Sequence, residues 1–166
     1  NTPTNENRWK IGYTSLLMWP LDVQPFFDNV WTEAVEPAEP YGPGVYRHNV
    51  ELQFILSVLT AGPVGIADEV GRTNGTRTLQ SCSANGTLLQ TDKPATPIDD
   101  MFSFAPPSKP AGMGEVWQTH TRVGSMLWRY IVAIDVNELY LLQQHQLWPR
   151  GESVEGSMVV GWHARY

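Results

Sequence analysis

The residues that could do chemistry are few and scattered. Asn74-Gly75-Thr76 and Asn85-Gly86-Thr87 are acceptor sequons for N-linked glycans, and neither has proline in the middle. They point to a secreted or extracellular glycoprotein, although so short a pattern also arises by chance. His48, His120, His145 and His163 show no spacing that would set two imidazoles on one helix face, so no metal site is expected. Ser57, Ser81 and Ser83 lack the Gly-x-Ser-x-Gly context of a nucleophile elbow. Gly62 to Gly65 lacks the Gly-Lys-Ser/Thr ending of a phosphate-cradling loop. Cys82 is the sole cysteine, with either a partner elsewhere or the role of a small buried residue. No cofactor is expected.

Any site must be positioned by the apolar segments. Arg8 to Trp19 is predicted as a helix that Pro20 stops. Asp22 to Asp28 is aromatic and short, a strand or extended loop. Thr32 to Val45 holds three prolines and two glycines and is predicted as an irregular loop. Asn49 to Thr60 is the strongest predicted helix: Asn49 can cap it, Glu51 sits in its first turn, and it is apolar on most faces. Gly62 then serves as its C-terminal stop, and Gly62 to Asp68 is predicted as a short buried strand ending in a carboxylate. Thr76 to Leu89 is predicted as a helix interrupted near Asn85-Gly86. Phe104 to Gly114 is predicted as a linker or wrapping loop. Beyond it, Val116–His120, Leu127–Val136, Leu139–Leu147 and Met158–Tyr166 are predicted as antiparallel strands. Trp117, Trp128, Trp148 and Trp162 fit the core of such sheets better than a carbohydrate platform. The order suggests the end of an α/β domain over 1–100, a linker over 101–114 and the start of a β-sandwich over 115–166.

Composition narrows the function classes. The chain has 166 residues, with 17 acidic against 11 basic and a net charge of −6, so nucleic acid is not an expected partner. Hydrophobic residues make up 42%, including seven Trp, which is enough for a packed core. No apolar run approaches the roughly 20 residues of a membrane span.

The stretch from Ser57 to Phe102 resembles a segment of raffinose synthases and alkaline α-galactosidases, in the clan of retaining α-galactosidase-like glycoside hydrolases. The residues that carry this are Gly62-Pro63, Ala67-Asp68, Gly71, Asn74, Asn85-Gly86-Thr87-Leu88-Leu89, Pro94-Ala95-Thr96-Pro97 and Asp100-Met101-Phe102. Upstream, Val23-Gln24-Pro25-Phe26-Phe27-Asp28 is similar to the family's M-Q-P-D-W-D strand, with Phe26 where the family has an acidic residue. The segment also resembles one in a group of extracellular animal proteins.

The resemblance implies the C-terminal part of a (β/α)8 barrel followed by an antiparallel β-sandwich. It makes Arg8–Trp19 the sixth barrel helix, Val23–Asp28 strand seven, Asn49–Thr60 helix seven, Val64–Asp68 strand eight and Arg77–Leu89 helix eight. A whole barrel takes about 250 residues, so a fragment of a longer chain is expected. Retaining enzymes use two carboxylates roughly 5 Å apart. The family's two lie on strands four and six, upstream of Asn1, so no catalytic residue is expected here. The implied register sets Asp28 and Asp68 at the sugar-facing mouth, with Trp31 as a stacking face. The alternative is that both aspartates cap local turns. The expected partners are a carbohydrate and the rest of the same polypeptide or an assembly. The expected activity, if any, is that of a retaining α-glycosidase or transglycosidase. A catalytically inactive, glycosidase-derived extracellular protein is the alternative.

Overall fold

A computed structural model of the chain describes residues 11–36, 45–46, 50–104, 115–134, 136, 140–143, 146 and 159–164. It mixes helices with strands, and it divides into two units: Gln24–Thr91, and Asn1–Val23 with Asp92–Tyr166. Residues 37–44, the Asn49 cap, most of the expected linker (105–114) and Trp148 lie outside the described residues. Among those that are described, no helix is long and apolar enough to cross a membrane.

The Gln24–Thr91 unit is built on a strand-helix-strand step. Strand β1 (Phe27–Val30) leads to a two-residue antiparallel pair, β2 (Val35–Glu36) and β3 (Val45–Tyr46). That pair falls at the two ends of the segment expected to be irregular throughout. Helix α2 (Val50–Leu59) follows and lies against β1. Strand β4 (Val64–Ile66) then pairs with β1 in parallel. Parallel neighbours need a crossover connection, and α2 supplies it.

Helix α2 buries Val50, Leu52, Phe54, Leu56 and Leu59 and turns Glu51 to solvent, as its apolar pattern requires. Two hydroxyls at its buried end are satisfied locally. The Ser57 hydroxyl donates to the Phe54 carbonyl at 2.6 Å, and the Thr60 hydroxyl to the Ser57 carbonyl at 2.6 Å. The residue in left-handed conformation after the helix is Ala61, at φ 56°, and not Gly62 as expected. Gly62 is needed for a steric reason, because a Cβ there would lie 1.8 Å from the Pro25 carbonyl oxygen. Glycine lets the turn after α2 pass directly over the chain entering β1.

The register of the parallel pair shifts by one residue. Phe27 faces Val64, but Val30 faces Ile66, so β1 carries an extra residue. Asn29 lies in that stretch at φ 58°, a conformation asparagine tolerates better than most residues. Such a bulge breaks the alternation of a strand. Val30, which closes the strand, and the two residues after it, Trp31 and Thr32, are all buried.

The expected helix over Thr76–Leu89 is reduced to one turn, α3 (Gly75–Thr78), followed by a 3-10 turn at Leu79–Ser81. The chain then folds back at Gly86, φ 84°, so that Cys82 bridges Leu88 in antiparallel fashion. Most of this segment is exposed, so no tertiary packing extends the helix.

The second unit is a four-stranded sheet in the order β5-β6-β7-β8, from β5 (Thr96–Pro97), β6 (Glu115–Val123), β7 (Met126–Ile134) and β8 (Val159–Ala164). β6 and β7 form a nine-residue antiparallel hairpin that Val123 and Met126 close. Gly124 takes φ 60° at the first central position of the two-residue turn, the place where a type II′ turn needs glycine. β8 runs parallel to β7, whereas an antiparallel strand was expected. Residues 140–143 of the segment expected as a strand from Leu139 to Leu147 are not in a strand. Tyr140 and Gln146 from it both donate to the Asp100 carboxylate, the former at 3.3 Å, which ties the segment down by its side chains.

Helix α1 (Ile11–Met18) lies against β5, and its end runs into a 3-10 turn containing Pro20. Helix α4 (Met101–Phe104) brings Met101 into a core with Ile98, Val116 and Ile131, so the first residue of the expected linker is a fully buried core residue. Trp117 is buried as expected, and Trp128 is half-buried.

Glu115 opens β6 in a half-buried position. Burial pushes its carboxyl up to about 7, and the Trp117 indole N–H, donating to it at 2.5 Å, pulls the other way. A raised native pKa means that the folded state holds the proton more tightly than the unfolded chain. The contribution to stability is then full below about pH 4.5 and is lost as the pH rises to about 7. Glu115→Gln keeps the acceptor for Trp117 and removes the charge. It is expected to stabilise the protein by about 2 kcal/mol at pH 8, after discounting for partial exposure, and by nothing at pH 4. Urea denaturation at the two pH values measures this; an equal effect at both would refute it.

Candidate functional site

The densest set of interacting polar side chains gathers where β1 and β4 end. Thr32, fully buried, is its centre. The Thr32 backbone N–H donates to Asp68 Oδ1 at 2.7 Å, and its hydroxyl donates to Asp68 Oδ2 in a short bond. The same hydroxyl accepts from the Asn74 backbone N–H at 2.7 Å. The Thr32 carbonyl accepts from the Arg77 guanidinium. Thr32 therefore uses its backbone donor, its carbonyl and both roles of its hydroxyl.

A second layer surrounds this centre. The Asn74 side chain caps α3 by accepting from the Arg77 N–H at 2.9 Å, and its Nδ2 donates to Glu33 Oε1 at 2.9 Å. Arg77 also pairs with the exposed Glu51 at 3.4 Å. The network thus holds three carboxylates, Asp68 on Thr32, Glu33 on the Asn74 amide and Glu51 on the single guanidinium. Such a group cannot bind an anion strongly. It suits a neutral ligand rich in hydroxyl groups, because each carboxylate oxygen in a hydrogen bond retains a second lone pair.

The residues expected at the site fare differently. Asp68 stands two residues past the end of β4, at the carboxyl end of the parallel pair. Asp28 does not reach that end: it is the second residue of β1, exposed, with Val30 closing the strand. The paired strand begins at Phe27, further along the chain than the expected Val23–Asp28. Trp31 has no exposed surface, so its indole faces the core and not a sugar ring. Asn74 is a half-buried cap, while Asn85 sits exposed in its turn. Phe26 is 60% exposed.

Thr32, Glu33 and Arg77 do not stand out in the sequence. The only local signal is an asparagine three residues before Arg77, the spacing of a helix cap. The partners of Thr32 and Glu33 on Asn74 and Arg77 lie 41 to 45 residues away, beyond the reach of any local pattern. No protein-family model, curated protein or solved structure matches this chain.

Proposed function

We propose that this chain is the C-terminal part of a (β/α)8 barrel and the start of a β-sandwich from a secreted, glycoside-hydrolase-like protein that binds or acts on α-linked hexosides, in the manner of α-galactosidases. The observation that carries this reading is the β1–α2–β4 step. Two parallel strands joined through a helix, with polar side chains gathered beyond their carboxyl ends, are the repeating unit and the functional end of such a barrel. A lone parallel pair buries little apolar surface by itself, which fits neighbouring strands contributed by the rest of the polypeptide or an assembly. Glu33 and Asp68 supply hydroxyl acceptors at that end.

Two observations favour the catalytically silent version, a glycan-binding or structural protein. Asp68 is committed to Thr32 through both oxygens, and Phe26 stands where the resembling family has an acidic residue.

The deciding measurement uses the longest natural polypeptide that contains these residues. Incubation with a nitrophenyl α-galactoside across the pH range should release nitrophenol if the protein is active. Binding of α-galactosides in calorimetry, weakened about tenfold or more by Glu33→Gln and without any release, would identify the silent binder. Absence of both release and binding would remove the carbohydrate reading altogether.

A further inference from the structure

The two sequons have the same local sequence, Asn-Gly-Thr, but the fold places them in opposite situations. We propose that Asn85 carries an N-linked glycan and that Asn74 does not.

In the transfer step the amide Nδ2 of asparagine attacks C1 of a lipid-linked oligosaccharide. The N–C1 bond forms, the bond from C1 to the diphosphate oxygen breaks, the lipid diphosphate leaves, and Nδ2 gives up one proton. The acceptor therefore needs an accessible Nδ2 with space for a sugar around it.

Asn85 meets both needs. Its side chain is exposed, and its Oδ1 accepts from the Ser83 hydroxyl at 2.5 Å and the Thr87 N–H at 3.1 Å. These bonds orient the amide through its oxygen and leave Nδ2 toward solvent. The turn around it is held by the Ser83 N–H to the Thr87 carbonyl at 2.8 Å and the Gly86 N–H to the Ser83 carbonyl at 2.9 Å. Every one of these partners lies within a few residues, so the sequon has the same exposed shape before and after the unit folds.

Asn74 fails on both counts. Its Nδ2 donates to Glu33, its Oδ1 caps α3, and its backbone N–H is bound to the buried Thr32 hydroxyl. One of the two Nδ2 hydrogens is held by the Glu33 carboxylate, so the amide must give up that bond or take a sugar directly beside the carboxylate. Thr32, Glu33 and Asp68 all precede Asn74 in the chain, so during synthesis they are already available to compete with transfer when Asn74 appears.

The test secretes the full chain behind a cleavable signal sequence from a glycosylating eukaryotic cell, so the result reports on the two asparagines and not on the natural destination of the protein. Trypsin cuts after Arg72 and Arg77, which puts the sequons on separate peptides. Deglycosylation in heavy-oxygen water marks each formerly occupied asparagine, and a parallel digest without the deglycosylating enzyme subtracts the mark that Asn-Gly acquires by spontaneous deamidation. The mark is expected on Asn85 and not on Asn74, and Asn85→Gln should abolish the glycan mass of the intact chain. Glu33→Ala releases the Asn74 amide and should bring the mark to Asn74. A mark on Asn74 in the parent chain, or an unmarked Asn85, would overturn the proposal. An unmarked Asn74 in the Glu33→Ala chain would overturn the part assigned to Glu33.

Discussion

Replacing Gly62 by alanine is expected to destabilise the Gln24–Thr91 unit by about 3–5 kcal/mol, near the upper limit for one methyl group. The added Cβ would sit 1.8 Å from the Pro25 carbonyl oxygen and 2.9 Å from its carbon. Both obstacles are backbone, so no side chain can rotate away. Relief requires the turn after α2 to separate from the chain entering β1, and that separation pulls apart the Phe27 N–H to Pro63 carbonyl bond, 3.0 Å long, which begins the parallel pair. Ala61→Gly provides the control. Ala61 is the residue with positive φ, so glycine relieves strain there while loosening the unfolded chain, and a net change within about 0.5 kcal/mol is expected. Chemical denaturation of both variants measures the contrast. Equal stabilities for the two would show that close approach, as opposed to backbone conformation, does not govern this turn.

The second large effect is expected at Asp68. Asp68→Ala leaves the backbone N–H and hydroxyl of a fully buried Thr32 without their acceptor, at a cost of about 3 kcal/mol. Thr32→Val removes the hydroxyl while keeping the shape, and it also strips the Asn74 N–H of its acceptor. The two changes share one network, so they should not add: the double variant is expected to be more stable than the sum of the single losses predicts by about 1–2 kcal/mol. Additivity within a few tenths of a kcal/mol would mean that the bond between these side chains contributes nothing. The same experiment bears on function. On the proposed carbohydrate reading, an Asp68 that holds the loop in place should, when lost, move stability and binding together. If it contacts a sugar, Asp68→Asn should weaken binding well beyond what its stability change explains.

Some of this protein was legible in its residues alone. The apolar sequence of 50–59 with an acidic first turn specifies α2, because a helix apolar on most faces is stable only when covered. Antiparallel strands expected over Val116–His120 and Leu127–Val136 from their alternation are found as β6 and β7, with the first extending further toward the turn. The strand before Asp68 could be read from the glycines and proline around Val64–Ile66, but not its burial: it was expected to be buried, whereas Val64 and Gly65 are half-buried and Ile66 is exposed. These are short-range properties, fixed by propensity and periodicity.

What only the tertiary structure decided are the places where distant segments overrule local preference. The strand pairs over Phe27–Val30 and not over Val23–Asp28, which leaves Asp28 near its start, because where a strand pairs and in which register belongs to a pair of strands and not to either one alone. Gly62 is glycine on account of Pro25, far back in the chain, and not because the helix must stop there. Thr32 became the centre of a polar network only when β4 and α3 brought Asp68, Asn74 and Arg77 to it. β8 pairs with β7 in parallel, a direction that the alternation of its own residues does not specify. Hydrogen-bond partners and steric contacts between remote segments are properties of the folded chain, and a residue's type states only which of them it is able to make.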